Sequence, residues 1–232
     1  MIQKRKDLSQ EGLKIIACVS MLIDHIGAVF FPGMDIFRII GRIAFPIYCF
    51  LLVEGAHYTR DPKKYALRLL IGAVLSEIPF DLAFSGRINP ESCSVMVTLL
   101  LGYGAIIAIK HVSGLWKGLV ILPFFLLAEI LGTDYGGNGI TIIAWMAIVR
   151  EMEHSKLWRI AGLVVLLWFG YAIPIGPVRV PIELFGLAAL IPIHFYRGEK
   201  RTGSAAVKWS FYLFYPVHLM ILWGIRTLGI FF

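Results

Sequence analysis

Long apolar stretches separated by short polar segments recur along the whole chain. The first of them, residues 13–31, carries the adjacent ionisable residues Asp24 and His25 well inside it. At about 1.5 Å per residue, a helix over this stretch is long enough to cross the roughly 30 Å hydrocarbon core of a bilayer. The pattern therefore predicts an all-α, polytopic transmembrane bundle of about nine spans, forming one domain over residues 1–232. The predicted spans are 13–31, 36–55, 65–84, 92–110, 115–132, 137–150, 156–174, 180–196 and 207–230.

The composition agrees with a membrane protein and excludes two other classes. Hydrophobic residues make up 58% of the chain and charged residues 16%, and the mean hydropathy is +0.77. A soluble domain has about 25% charged residues, so this chain could not keep its apolar surface out of water. The net charge of +7 comes from short clusters between apolar stretches, which argues against a nucleic-acid-binding protein. The three cysteines show no CxxC pair and no His/Cys metal spacing, so we expect no metal.

The distribution of Lys and Arg predicts the orientation in the membrane. The side that holds the N-terminus carries 17 of the 22 Lys and Arg residues. Because cytoplasmic loops carry this excess, we predict a cytoplasmic N-terminus, an extracytoplasmic C-terminus and a multi-pass location in the cytoplasmic (inner) membrane. Span 137–150 reaches only about 21 Å at helical rise. We predict that it crosses, since otherwise the basic segment 150–159 would lie outside.

With this orientation, the ionisable residues inside the spans collect in the extracytoplasmic half. Buried charges are costly unless they face a partner or a watered cavity, so the pattern indicates one polar cavity that opens away from the cytoplasm. Arg38 and Arg42 are the expected partners of Asp24, Glu77 and Asp81. The alternative is that these are only structural ion pairs between helices. Candidate site residues from this set are Asp24, His25, Arg38, Arg42, Glu77, Asp81, Asn138, Glu183 and His218.

Other polar residues have simpler interpretations. Glu129, Asp134 and Arg179 lie near the membrane interface, where solvated loop-edge groups are expected. Asp24 and His25 are neighbours in sequence, so on a helix their side chains diverge by about 100° and do not form a carboxylate–imidazole pair. We expect one of them to pair with an arginine of the second span while the other faces the cavity.

Four segments resemble the TraX family of membrane acetyltransferases, which is named for the enzyme that N-acetylates the amino terminus of F pilin. They are LKIIACVSMLIDHIGAVFFP at 13–32, FRIIGRIAFPIYCFLLVEGAHYTRDPKKYALRLL at 37–70, SEIPFDLAF at 76–84 and FYLFYPVHLMIL at 211–222. The resemblance implies an enzyme that moves an acetyl group from cytoplasmic acetyl-CoA to an amine or hydroxyl acceptor on the far side. A peptide or protein N-terminus is the first expectation for the acceptor.

TraX proteins are similar in turn to the broader acyltransferase-3 group, whose first helix carries an Arg-x10-His pattern with a proposed catalytic histidine. Lys14 and His25 hold these two positions, and the closing YPVHL, with His218, resembles the final-helix signature of that group. Eleven residues of helix span about 16 Å, which is similar to the reach of the pantetheine arm of coenzyme A.

The resemblance, together with this spacing, suggests a role for each of these residues. Lys14 would hold a phosphate of the donor, and His25 would act as general base or become transiently acylated, with Asp24 beside it. Arg42 or Asn138 would stabilise the oxyanion.

Without the resemblance, the residue pattern is also compatible with two other functions. A small proton-coupled transporter would use Asp24, His25, Glu77 and Asp81 as a relay, although the chain shows no evident two-fold repeat of the kind many transporters have. A non-catalytic scaffold for an envelope assembly would not need so many buried ionisable groups. The resemblance places the acyltransferase ahead of both.

Overall fold

The computed structural model describes residues 8–196, 198 and 205–229, and this part of the chain is mainly α-helical. The basic residues Lys4, Arg5, Lys6, Arg197, Lys200 and Arg201, which contribute to the predicted orientation, lie outside it. The α-helices are α1 (Gln10–Phe30), α2 (Asp35–Gly41), α3 (Ala44–Tyr58), α4 (Pro62–Ser85), α5 (Val95–Lys110), α6 (Trp116–Ile130), α7 (Gly136–Arg150), α8 (Ser155–Leu166), α9 (Leu190–Phe195) and α10 (Ala205–Thr227).

Local sequence signals set several helix ends. The Ser9 side chain accepts a hydrogen bond from the Gly12 N–H at 3.1 Å and caps α1. Asp61 caps α4 in the same way, accepting from the Lys64 N–H at 3.0 Å. These bonds satisfy amide donors that the first turn of a helix leaves without partners.

The segment between α8 and α9 is not the pair of helical spans predicted at 156–174 and 180–196. Helix α8 ends at Leu166, and the chain then forms an antiparallel hairpin of β1 (Ala172–Ile175) and β2 (Val178–Pro181). A 3-10 helix, Ile182–Ala189, and the short α9 follow. Prolines and glycines explain the difference, because Pro174, Pro177 and Pro181 lack an N–H donor and Gly170 and Gly176 have positive φ.

The predicted span 36–55 is also interrupted. Its helix breaks at Arg42 and Ile43 into α2 and α3. Taken together as Asp35–Tyr58, this segment is one of two in the described part of the chain that are long and apolar enough to cross a membrane; the other is Gln10–Phe30. These two helices suggest association with a membrane. Helices α5, α6 and α7 have 16, 15 and 15 residues, so the nine-span bundle stays a prediction.

The surface is unusually apolar for a protein in water. Among the residues of α6, which read WKGLVILPFFLLAEI, only Ala128 is buried. Helix α8 buries only Leu163, and α4 and α10 also carry large exposed aliphatic side chains, including Val74, Ile78 and Ile221. Such faces agree with contact to lipid.

The core gathers the first three helices against the last one. Helix α1 packs on α2, α3 and α10, while α10 packs on α4. A continuous cluster of buried apolar residues includes Leu13, Ile47, Leu163 and Leu219, which are fully buried. This packing places one face of α1 opposite α10 and another face opposite α2, and both faces contribute to the site.

Candidate functional site

A cavity of about 490 Å³ lies beside the second half of α1. Its walls come from α1 to α4, the start of α5, the loop before α7, the segment before β1 and the 3-10 helix. The charged residues that line it are Asp24, Arg38, Arg42, Asp134 and Glu183, and the aromatic residues are Phe45, Tyr48, Phe80, Phe84, Tyr135, Phe169 and Tyr171, with the His25 ring among them.

Arg42 is the centre of a buried ion cluster. Its Nη2 donates to Asp24 Oδ1 at 2.7 Å and its Nη1 to Glu183 Oε1 at 2.6 Å, and its Nε donates to the Arg38 carbonyl at 3.2 Å. Arg38 Nη1 donates to the second Asp24 oxygen at 2.6 Å. All three Arg42 nitrogens therefore have acceptors. The cluster ties α1, α2 and the 3-10 helix together on one side of the cavity.

Gly41 makes this cluster sterically feasible. A methyl group at this position would overlap the Asp24 carboxylate. Gly27, on α1 one turn after Asp24, has the same effect, because a methyl group there would overlap Phe37 of α2. The two glycines therefore let α1 and α2 approach closely enough for Asp24 to reach both arginines.

We expect Gly41→Ala to destabilise the protein by about 1–3 kcal/mol, because the added methyl displaces a buried carboxylate from two cations. The free energy of unfolding in detergent micelles measures the effect. Gly33→Ala is the matched control, since a methyl there meets open space and should change stability by less than about 0.5 kcal/mol. Equal stability of the two variants would contradict this account of Gly41.

His25 is paired with His218 of α10 on the opposite side of α1. His25 Nδ1 and His218 Nε2 lie 2.7 Å apart. The rings are nearly coplanar, at 10°, with centroids 4.9 Å apart, which is the edge-to-edge arrangement of an N–H···N bond. His218 Nδ1 lies 2.6 Å from the Phe214 carbonyl oxygen.

This geometry assigns the tautomers. The Phe214 carbonyl can only accept, so the proton of neutral His218 is on Nδ1 and its Nε2 accepts from His25 Nδ1–H. The lone pair of neutral His25 is then on Nε2. No hydrogen bond reaches this Nε2 within the described residues, so it is a base available to the cavity.

The loop between α6 and α7 closes another side of the cavity with Asp134 and Tyr135. The Tyr135 ring stacks on Phe45, with centroids 3.6 Å apart. The Asp134 side chain is exposed to the cavity, yet protein surrounds it, so burial raises its pKa to about 6, with Arg42 opposing the shift. This carboxyl group can therefore change its charge near neutral pH.

The structure brings six of the ten candidate residues together and leaves the other four elsewhere. Asp24, His25, Arg38, Arg42 and Glu183 line the cavity, and His218 contacts His25.

Glu77 and Asp81 do not pair with the arginines. Glu77 accepts from the Ser94 hydroxyl at 2.6 Å at the start of α5, and Asp81 accepts from the Asn89 N–H at 2.9 Å. Asn138 is exposed in the first turn of α7. The Lys14 Nζ lies 5.0 Å from the centre of the Phe211 ring.

Sequence reasoning did not single out several parts of this site. The sequence pattern predicts that Asp134 is a solvated loop-edge group, and it gives no signal for Gly41, Tyr48 or Tyr135. The glycines on both sides of the loop, Gly132 and Gly136, have φ of 57° and 52° and mark a tight turn. That signal predicts a turn and does not reveal which residue of it faces a cavity.

Two known proteins resemble this chain, one over nearly its full length and one over about two thirds of it. It is 29% identical over 234 residues to a probable fimbrial assembly protein, FimC of serogroup H1, from Dichelobacter nodosus, covering 93% of this chain and 95% of that protein. It is also 27% identical over 158 residues to an uncharacterised protein of Rickettsia prowazekii (strain Madrid E), covering 67% of this chain and 60% of that protein. No solved structure matches it. The profile of the family described as TraX protein matches residues 9–226, so the chain belongs to the TraX family.

Proposed function

We propose that this protein is a multi-pass membrane acyltransferase that moves an acetyl group from cytoplasmic acetyl-CoA to an amine or hydroxyl acceptor at the extracytoplasmic side. The observation that carries the proposal is the His25 ring. It lines a charged cavity, and its bond to His218 leaves Nε2 as a free base. A base of this kind is what acyl transfer to a weak nucleophile requires.

The proposed reaction needs one base and one leaving group. His25 Nε2 takes a proton from the acceptor as its nitrogen or oxygen attacks the thioester carbonyl. The new bond to the acyl carbon forms, the C–S bond breaks, and His25 returns a proton to the departing thiolate to give CoA as the free thiol. Transient acylation of His25 is the alternative sequence, with the acceptor attacking in a second step.

Arg38 is better placed than Arg42 to stabilise the oxyanion of this reaction. Arg42 uses all its nitrogens on Asp24, Glu183 and the Arg38 carbonyl, and only 8% of its side chain is exposed. The Arg38 side chain is 30% exposed, and among the described residues it has one bond, to Asp24. We therefore assign oxyanion stabilisation to Arg38, while Asp24 holds both guanidinium groups in place.

Lys14 is the proposed contact for the donor. It lies eleven residues before His25 on α1, which corresponds to about 16 Å along the helix. A CoA phosphate near Lys14 would place the thioester close to His25. The name of the Dichelobacter relative, a probable fimbrial assembly protein, favours the N-terminus of a surface-appendage protein as the acceptor.

Binding of the donor tests the proposed function directly. We expect acetyl-CoA and CoA to raise the unfolding temperature of the purified full-length protein in detergent micelles, because a ligand that binds only the folded state stabilises it. Mass spectrometry should then detect an added acetyl group on peptide amines. A protein that responds to neither acetyl-CoA nor CoA, and that acetylates no acceptor, would contradict the proposal in favour of a transporter or scaffold.

The proposed orientation has its own test. Alkaline phosphatase fused after residue 88, between α4 and α5, should be active, because that loop is predicted to be extracytoplasmic. The same fusion after residue 113, between α5 and α6, should be inactive, and a fluorescent protein fused there should be bright. The reverse pattern would overturn the orientation and would place the cavity on the cytoplasmic side.

A further inference from the structure

The Asp134 carboxylate is the acidic group of the cavity lining that forms no ion pair with an arginine among the described residues. Asp24 pairs with Arg38 and Arg42, and Glu183 pairs with Arg42. In the part of the chain that the structure describes, no ion pair or hydrogen bond reaches the Asp134 carboxylate. The lining therefore has three carboxylates and two guanidinium groups, and the unbalanced negative charge is at Asp134.

Backbone hydrogen bonds hold the main chain of the loop at Asp134. Its N–H donates to the Cys93 carbonyl at 3.0 Å, and the Cys93 N–H donates to the Gly132 carbonyl at 3.0 Å. The Thr133 N–H donates to the Ala128 carbonyl at 3.0 Å and the Gly136 N–H to the Thr133 carbonyl at 2.8 Å. The loop is thus bonded to the segment before α5 and to the end of α6. The backbone that carries Asp134 is therefore preorganised, so little backbone ordering is left for binding.

We propose that Asp134 is the specificity-determining residue of this cavity and that its carboxylate binds the ammonium group of a cationic acceptor. This inference rests on the proposed acyl transfer and selects an amine over a hydroxyl acceptor. An ammonium group beside Asp134 balances the charge of the cavity, whereas a hydroxyl leaves one carboxylate without a countercharge. His25 and Asp134 line the same cavity, so the anchored nitrogen is within the space that the base serves.

The protons balance for an ammonium acceptor. The bound ammonium first gives one proton to His25 Nε2, which passes it to solvent, because only the neutral amine is a nucleophile. The amine then attacks the thioester carbonyl and gives up a second proton through His25 to the departing CoA thiolate. An α-amino group, with an ordinary pKa of about 7.7–8.0, loses the first proton more readily than a lysine side chain, with a pKa of about 10.4.

The test uses two probes that differ at one group. Trialanine amide carries an α-ammonium group, and lactyl-dialanine amide has a hydroxyl in its place. We measure the unfolding temperature of the purified full-length protein in micelles against the concentration of each probe at pH 7.5. The wild type should bind the amine probe at least about tenfold more tightly than the hydroxyl probe, and Asp134→Asn should lose this preference.

Asp61→Asn is the matched control for Asp134→Asn. It is the same substitution at a carboxylate far from the cavity, at the start of α4, and asparagine also caps helices well. It should keep the wild-type preference. The unfolding temperature without probe shows whether each variant folds, and Asp134→Glu provides a second variant that retains the charge. Equal affinity of the wild type for both probes, or unchanged amine binding in Asp134→Asn, would overturn the inference, as would an absence of binding by either probe.

The pH dependence of the affinity for the amine probe provides an independent test. Arg38, Arg42, Asp24 and Glu183 are the other charged groups around Asp134. With the pKa of Asp134 at about 6, its carboxylate is charged above that pH and neutral below it. Affinity for the amine probe should therefore fall as the pH drops through 6, while Asp134→Asn should show no such fall. A pH-independent affinity in the wild type would count against Asp134.

Acetyl transfer to the same probes separates this inference from the proposed function. If amine binding depends on Asp134 but no acetyl group is transferred, the cation site stands and the proposed function fails. If both probes are acetylated equally well, or if Asp134→Asn acetylates the amine probe at the wild-type kcat/KM, acyl transfer stands and the inference fails.

Discussion

Replacing His25 with Gln should lower kcat for acetyl transfer by about 10²- to 10⁴-fold, the usual contribution of a positioned general base. Glutamine has a similar size and can keep a hydrogen bond to His218, but it cannot accept and return a proton. Transfer of the acetyl group to a peptide amine, followed by mass spectrometry at saturating acetyl-CoA, measures the loss. The thermal response to CoA should persist, because the substitution leaves Lys14 unchanged.

His194→Gln is the control for this substitution. His194 is exposed in α9, so its replacement should leave the rate of transfer unchanged. If His25→Gln transferred acetyl at the wild-type rate, His25 would not be the base and the proposed chemistry would fail.

His218 should act as a positioning residue for His25. In His218→Asn, the amide can donate to the Phe214 carbonyl and accept from His25 Nδ1–H, as the imidazole does. In His218→Leu, neither bond is available and His25 can take the other tautomer. We therefore expect His218→Asn to retain much more activity than His218→Leu, with a shifted pH–rate profile in the leucine variant. Equal losses in the two variants would indicate a packing role only.

Removing the Arg42 side chain should be the most destabilising single change in the site. Arg42→Ala leaves Asp24 and Glu183, both 9% exposed, without the cation that they share. Breaking a buried ion pair by removing one partner costs about 3–5 kcal/mol. Chemical denaturation in mixed micelles gives the free energy of unfolding, and Arg42→Lys should recover only part of the loss, because an ammonium cannot match the three directions of the guanidinium.

Two comparisons identify the cause of this loss. Lys64→Ala removes the exposed pair with Asp61 and should cost only about 0–1 kcal/mol. Adding Asp24→Asn and Glu183→Gln to Arg42→Ala removes the uncompensated charges and should restore part of the stability. If Arg42→Ala were no more destabilising than Lys64→Ala, the cluster would not be the buried network that its geometry describes.

The resemblance in the sequence was sufficient to find the family, and the ionisable residues within the apolar stretches include several that line the cavity. Asp24 and His25, the arginines four residues apart, and the YPVHL ending all stand out as ionisable groups within apolar stretches, and the profile match confirms the TraX family. The partner of Asp24 was also predictable, because sequence neighbours diverge on a helix and a buried carboxylate needs a cation. Asp24 indeed bonds Arg38 and Arg42.

Other features differ from what the apolar stretches and the spacing of charges predict. The alternation of apolar stretches predicted helices at 156–174 and 180–196, but the prolines and glycines between them favour a hairpin and a 3-10 helix. Glu77 and Asp81 have the spacing of a helical pair, yet they bond the α4–α5 connection. Their partners are backbone and hydroxyl donors nearby.

The sequence by itself determined the helical, apolar character of this protein and the identity of its unusual buried charges, because both follow from composition and from periodicity along one chain. Only the tertiary structure decided which of those charges meet. The contact between His25 and His218 joins residues 193 positions apart, and the bond between Arg42 and Glu183 joins residues 141 positions apart. Such pairs form because distant helices pack together, and the lone pair on His25 and the unbalanced charge on Asp134 result from that packing.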